Sequence, residues 1–484
     1  MKLNNPELLR SQCLINGEWC DALSGKREAV INPATGAELA SIPLVSEEET
    51  QQAIAAAQRA QNEWKQLTAK QRSALLLAWA DKVLAAQEDL AQLMTAEQGK
   101  SLAEARGEVA YAASFITWFA EEAKRVDGAV LQAPQASQRL VVVKQPIGVC
   151  AAITPWNFPA AMITRKVAPA LAAGCAIIVK PAEQTPLTAL ALAKLAQDAG
   201  IPAGVLQVVT GEAAQVGKVL CDSPVVRKLS FTGSTEVGRI LMAQCAPSIK
   251  KLSLELGGNA PVIVFDDANL DAAVAGIMAS KFRNSGQTCV CANRIYVQDG
   301  IYERLVEKLV AAVEQLKVGD GSQEGTTQGP LIDSDAVAKV QSHIDDALIK
   351  GAQIATGGQP HALGGTFFQP TVVTGVTQKM RFAKEETFGP VAPLFRFHDE
   401  AEAIAMANDT EFGLAAYLFT QNAARQWRVP EALEYGMVGI NTGLISNEVA
   451  PFGGVKQSGL GREGSRYGIE EYLELKYLCI DVSR

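Results

Sequence analysis

From residue 146 the chain alternates between short apolar runs and helical stretches. GVCAAI precedes AAMITRKVAPALAAG, CAIIVK precedes LTALALAKLAQDAG, VLQVV precedes EAAQVGKVLC, and KLSF precedes TEVGRILMAQCA and then KLSLEL. Runs this short read as strands buried on both faces, and intervening helices of this length return the chain by right-handed crossovers to a parallel sheet. The expected fold class is therefore α/β, with a doubly wound parallel nucleotide-binding sheet whose crevice lies at the carboxyl ends of the strands. Earlier, Ser46 and Glu49 match a capping box ahead of TQQAIAAAQRAQNEW, and helices are expected to about Arg125. After Gly258, helices such as IYERLVEKLVAAVEQL and strands such as RIYVQ and APLFRF predict a second α/β domain. Residues 126–145 read as two short strands with a turn, and YLELKYLCIDV as another strand. Exposed strands invite pairing with another subunit, so a homo-oligomer, dimer or tetramer, is expected. The resulting division is 1–125 with 146–257 as a dinucleotide-binding domain, 258–453 as a catalytic domain, and 126–145 with 454–484 as small β oligomerisation elements.

Composition narrows the class. Apolar residues make up 48% of the 484 and charged residues 20%, the balance of an ordinary globular chain, and the length suits two or three domains with a cleft between them. No apolar stretch is long enough to span a bilayer, and MKLNNPELLR lacks the basic-then-apolar order of a secretory signal. A cytoplasmic location without membrane contact is expected. A net charge of −8, without a basic stripe, argues against a nucleic-acid partner. Nine cysteines without a C-x-x-C pair, and only three histidines, argue against a metal site and a disulfide framework. His343, His361 and His398 stand far along the chain from any promising motif, so a catalytic base falls to a carboxylate.

Gly459, Gly461 and Gly464 spell G-x-G-x-x-G, but no apolar strand leads into them and little chain follows, so a glycine-rich surface turn is expected. Gly233–Gly238 in FTGSTEVG follows the strand KLSF and opens a helix, where a phosphate finds favourable N–H groups.

Three residues carry candidate chemistry. KFRNSGQTCVCANR sets Cys289 in a polar bend between a helix and the strand RIYVQ. Most cysteines are small buried hydrophobes, but a thiolate is both nucleophile and leaving group, which suits two-step acyl chemistry. Glu255 closes the last parallel strand in SLELGGN; a charge there is commonly only solvated, yet without a histidine it is the natural base. Asn157 sits between prolines in ITPWNFP, where its amide either satisfies the turn backbone or donates to an oxyanion.

PWNFP, VKPAEQTP, FTGSTEVG, LELGGN, GQTC and EETFGP occur in that order, and the chain resembles the aldehyde dehydrogenase superfamily over essentially its whole length. The resemblance implies that Cys289 attacks an aldehyde, that Asn157 and the Cys289 backbone N–H hold the oxyanion, and that a hydride passes to a nicotinamide dinucleotide. It implies that Glu255 activates the water that hydrolyses the thioester, with no metal. It also implies Lys180 and Glu183 at the adenosine ribose, Gly233 and Ser234 at the pyrophosphate, Glu386 at the nicotinamide ribose with Phe388 beside it, and Thr154, Pro155, Trp156, Gly211, Phe231, Val237 and Leu256 around the dinucleotide. A carboxylate accepts from a free 2′-hydroxyl and repels a 2′-phosphate, so Glu183 predicts NAD, with NADP possible because Lys180 offsets part of the repulsion. Some superfamily members close to this pattern favour NADP and carry a small residue there.

Within the superfamily the chain is most similar to succinate-semialdehyde dehydrogenases, through MITRK, FRNSGQTCVCANR and the run from GMVGINTGLISNEV to KY. That similarity implies Arg165, Arg283 and Ser446, with Phe158, around the distal carboxylate of a small anionic aldehyde. Each charge-assisted bond is worth roughly 1.5–3 kcal/mol. The other reading pairs each arginine with a surface acid. Glutarate semialdehyde or a sulfonated three-carbon aldehyde fits the same clamp. Cys291 is either a packing thiol or the partner of Cys289 in a reversible disulfide. Two further classes remain: a cysteine hydrolase, which normally wants a histidine beside the thiol, and a catalytically silent binding protein on the same fold, which would be expected to lack the nucleophile or the base.

Overall fold

The computed structural model describes residues 1–483. Along the strand Val149–Ile153, Cys150 and Ala152 join one apolar cluster while Val149 and Ala151 join another; Ile177 and Val179 divide from Ala176 and Ile178 in the same way. A strand with apolar side chains on both faces needs cover on both sides, which helices supply. Five strands run parallel in the order Lys251–Glu255, Val226–Thr232, Val149–Ile153, Ile177–Lys180, Leu206–Val208. The first of these in sequence sits in the middle, so the winding reverses between Val149–Ile153 and Val226–Thr232. A crevice forms at such a switch point, and here it is bordered by Thr154–Asn157 and Gly233–Ser234.

Antiparallel strands extend both edges of this sheet, Cys13–Ile15 with Glu18–Cys20 on one side and Gly459–Leu460 on the other. The last corrects the expected surface turn: Gly459 pairs with Glu255, and a Cβ at Gly459 would stand 1.9 Å from the Leu254 carbonyl oxygen. The helix Glu47–Trp64 opens with the capping box, Ser46 and Glu49 each satisfying the other's backbone N–H.

A second sheet of seven strands begins directly after the link Leu256–Asn259 and is parallel except for the edge strand Gln353–Thr356. Its strands Ala260–Val264 and Ala292–Gln298 again split their apolar side chains between two clusters. A third, antiparallel sheet joins Ala129–Leu131, Gln138–Pro146 and Leu473–Asp481, and it exposes Val130 (78%), Leu475 (69%) and Tyr477 (57%). No helix among the described residues is long and apolar enough to cross a membrane.

Candidate active site

Cys289 follows a turn with three consecutive left-handed residues, Asn284 (φ 49°), Ser285 (φ 54°) and Gly286 (φ 77°). Side chains other than glycine adopt this region only when their surroundings hold them there. Asn284 N–H donates to Glu104 Oε1 at 2.7 Å, Asn284 Nδ2 to the Asn157 carbonyl at 3.0 Å, and Ser285 Oγ to the Gly329 carbonyl at 2.9 Å. A Cβ at Gly286 would lie 2.1 Å from the Gly389 carbonyl, and one at Gly258 would lie 2.5 Å from that of Cys289. The two glycines thus let GQTC, LELGGN and EETFGP converge.

Glu255, at the end of its strand, adjoins Cys289. Burial pushes its carboxyl above the usual carboxylate range, with Arg165 opposing and Glu463 adding to the rise. Burial also pushes the Cys289 thiol well up; the Glu255 charge acts in the same direction and Arg165 against it. Two acids this close do not both ionise readily, and burial pushes both toward the protonated form. Neither buried Glu255 oxygen has a hydrogen-bond partner among the described residues, which leaves the carboxylate open to a water or to the thiol. Asn157 Nδ2 donates to the Gln287 carbonyl at 3.1 Å, leaving its second hydrogen and the Cys289 backbone N–H without acceptors among the described residues.

The two arginines differ. Arg165 is buried at 2% exposure, reaches Glu463 at 2.6 Å and lies 4.0 Å from the centroid of the Phe452 ring. Its expected free guanidinium is therefore already paired, with a buried acid and not a surface one. Lys166 bonds the same Glu463 and donates to Thr232 Oγ1 at 2.6 Å. Arg283, in contrast, makes no ion pair among the described residues and lies 4.8 Å from the centroid of the Phe158 ring. Ser446, in the run from GMVGINTGLISNEV to KY, is half-buried and bonds neither arginine. Cys291 is fully buried, and its thiol donates to the Lys281 carbonyl at 3.1 Å.

A cavity of about 280 Å³ runs from Gly233 and Ser234 past Leu256 to Asn157, Cys289, Glu386 and Phe388. Gly233 is compressed against Phe231, whose Cζ would be 2.4 Å from a Cβ, and Ser234 caps the following helix by accepting from Val237 N–H at 3.3 Å. Trp156 and Phe388 meet edge to face at 5.6 Å. Pro155 lines the same cavity, while Thr154 N–H donates to the Lys180 carbonyl at 3.1 Å. Burial raises Glu386 to about 7, opposed by Lys339 and by the Gly258 N–H, which donates to it at 3.2 Å. An aromatic wall for a flat ring, a carboxylate for ribose hydroxyls and a glycine at a helix N-terminus fit a dinucleotide.

An adjoining hollow is lined by Glu28, Glu183 and Glu212. Lys180 is buried and already ion-paired with Glu183. Gly211 lies beside this region, a Cβ there standing 2.9 Å from Val216. Glu28 is raised, first by burial and then by the Glu183 charge.

Several participants were given no role from the sequence: Lys100 and Glu108, which no quoted motif contains, Lys166, Asn284 and Glu463, which lie inside quoted runs, and His343. His343, 44 residues from Thr387 along the chain, is brought by the fold beside the EETFGP motif. It is fully buried, with Nδ1 3.2 Å from Thr387 Oγ1, next to Glu386, and burial lowers it to about 4. It is neutral near pH 7 and supports the Glu386 loop without serving the sulfur. A usable signal did exist for Lys166 and Arg165, two charges inside the otherwise apolar helix Ala161–Ala173.

The Aldehyde dehydrogenase family profile matches residues 19–478. The chain is 65% identical over 480 residues to the succinate-semialdehyde dehydrogenase [NADP(+)] of Escherichia coli (strain K12), covering 99% of this chain and 100% of that one. It is 64% identical to the glutarate-semialdehyde dehydrogenase of Pseudomonas putida (strain KT2440), with all of both chains covered. A crystal structure described as an E. coli NADP dependent enzyme superposes with a TM-score of 0.99 at 64% identity, covering 99% of this chain and 100% of that one. The chain belongs to the aldehyde dehydrogenase family.

Proposed function

We propose that this enzyme oxidises a small anionic aldehyde, succinate semialdehyde foremost, to the corresponding carboxylate. The observation that carries the substrate class is Arg283, a cation without a carboxylate partner among the described residues, stacked on the ring next to Asn157. Glutarate semialdehyde or a sulfonated aldehyde remains the alternative, because a relative named for glutarate semialdehyde is nearly as similar as the succinate-semialdehyde one.

Cys289 loses its proton to solvent and adds as the thiolate to the aldehyde carbon. Asn157 Nδ2 and the Cys289 N–H bind the oxygen as it gains charge. A nicotinamide dinucleotide, held by Glu386, Phe388, Gly233, Ser234 and Lys180, supplies the hydride acceptor. The thioester on Cys289 is then attacked by a water whose proton Glu255 takes. Collapse of that adduct breaks the C–S bond, releasing the carboxylic acid and the thiolate. Ser446 and Arg283 orient the distal anion, while Arg165 adds positive potential from behind its Glu463 pair.

For the cofactor, the acidic rim of Glu28, Glu183 and Glu212 supports NAD, since a 2′-phosphate would meet three carboxylates and one lysine that is already paired. The E. coli relative is named for NADP(+), so the comparison of both dinucleotides is decisive. The third sheet, with its long pairing and exposed apolar side chains, supports assembly with further copies of the chain. A disulfide between Cys291 and Cys289 would require Cys291 to leave the Lys281 carbonyl. Peroxide followed by reductant, on wild type and Cys291→Ala, tests it.

The principal experiment assays succinate, glutarate and sulfonated semialdehydes beside propionaldehyde, each with NAD and with NADP. Higher kcat/KM for neutral than for anionic aldehydes would overturn the substrate reading.

A further inference from the structure

Little holds the loop bearing Asn157 locally. The helix that follows, Ala161–Ala173, starts after Ala160, whose side chain offers no cap. Glu108, on the helix Leu102–Glu122, supplies the cap from outside: its Oε1 accepts from the N–H groups of Ala160 at 2.9 Å and Ala161 at 3.2 Å. Its other oxygen pairs with Lys100 at 2.5 Å, and Lys100 Nζ also donates to the Asn157 carbonyl at 2.7 Å. Both side chains of this ion pair are 1% exposed. Charge-assisted bonds in such surroundings are short and resist displacement, and losing one partner strands the other charge.

We propose that Lys100, held by Glu108, is a positioning residue that fixes the Asn157 peptide and so aims the Asn157 side chain at the developing oxyanion. The inference rests on Asn157 being the oxyanion donor. Three anchors define this amide: Lys100 and Asn284 on its backbone carbonyl, and the Gln287 carbonyl on its side chain. Gln287 stands two residues before Cys289, so the donor is referenced to the nucleophile. Without Lys100 the carbonyl keeps only Asn284 Nδ2, which also serves Gln287 at 3.3 Å. Oxyanion stabilisation depends on placement, so slack at this peptide costs rate even when the fold survives.

Lys100→Met and the charge-balanced Lys100→Met/Glu108→Gln are to be compared in wild-type and Asn157→Ala backgrounds. The readouts are kcat and KM for aldehyde oxidation and the rate of Cys289 alkylation by iodoacetamide. Alkylation displaces iodide from a saturated carbon and forms no oxyanion, so it reports the thiol alone. The expected result is a fall of about 30-fold in kcat, with KM and alkylation changed less than about twofold, and a further loss below about twofold when Asn157 is already alanine. Unchanged kcat, an equal fall in both backgrounds, or alkylation falling in step with kcat overturns the inference. Should Lys100→Met fail to fold, the charge-balanced variant carries the same comparison. If Asn157→Ala alone leaves kcat intact, the oxyanion assignment fails and takes the inference with it. An inert Lys100 variant beside a crippled Asn157→Ala defeats the inference alone.

Discussion

The Arg165 guanidinium lies 2.6 Å from the Glu463 carboxylate, whereas Arg283 has no carboxylate partner among the described residues. Two residues assigned one role by sequence resemblance thus have different electrostatic duties. Arg283→Ala should lower kcat/KM for succinate semialdehyde by about 10- to 150-fold, the worth of one charge-assisted bond, and leave propionaldehyde within about threefold. Arg165→Ala leaves Glu463 to Lys166 alone; it should lower the thermal midpoint, at a cost of about 3 kcal/mol, and reduce turnover of neutral aldehydes as well. Identical selectivity profiles for the two variants would refute this division.

Glu255→Gln removes the acceptor for the hydrolytic water. Steady-state kcat should fall about 10²- to 10³-fold, while a rapid-mixing trace still shows a burst of reduced nicotinamide as the acyl-enzyme accumulates. In the wild type the carboxylate is the working form and burial raises its pKa. Acidification therefore protonates the base at a higher pH than for a solvent-exposed glutamate, and kcat should rise with pH through that raised value. A flat kcat–pH profile would exclude Glu255 as the base.

Glu183→Ser opens the rim to a 2′-phosphate and frees Lys180 to meet it. The ratio of kcat/KM with NADP to that with NAD should rise by at least about tenfold, or about 1.4 kcal/mol. No change in that ratio would show that the rim does not select the dinucleotide.

His343 is lowered to about 4 from an ordinary 6.5, burial being the main cause and Arg381 the second. The unfolded chain binds this proton more readily than the folded one. The stability is present above pH 6.5 and is lost as pH falls through 6.5 toward 4, on the order of 3 kcal/mol in all. His343→Gln should flatten part of the fall in thermal midpoint between pH 7 and pH 4.5. A parallel fall in both proteins would remove His343 from the acid response.

The parallel sheet was legible because its strands are apolar on both faces and its helices are evenly spaced. Cys289, Glu255 and Asn157 were singled out because each lies in a recognisable run, and the fold brings Cys289 and Asn157 to the lining of one cavity. The strands Cys13–Ile15 and Glu18–Cys20 are three residues each, too short for periodicity to show. Lys100 and Asn157 are 57 residues apart, and Lys166 and Glu463 are 297 apart, so neither partnership leaves a local trace. Gly459 was misread because its constraint is the neighbouring strand's carbonyl, which no linear pattern displays.

Phe158 is approached by the Lys100 ammonium at 4.0 Å and by the Arg283 guanidinium at 4.8 Å from its ring centroid. On the proposed mechanism, a single stiff aromatic thus separates Lys100, which braces the Asn157 peptide, from Arg283, which reads the far end of the substrate. Aliphatic substitution would turn that spacer into a hinge. Discrimination between four-carbon and five-carbon semialdehydes should then blur, because the gap between the two ends would no longer have one length.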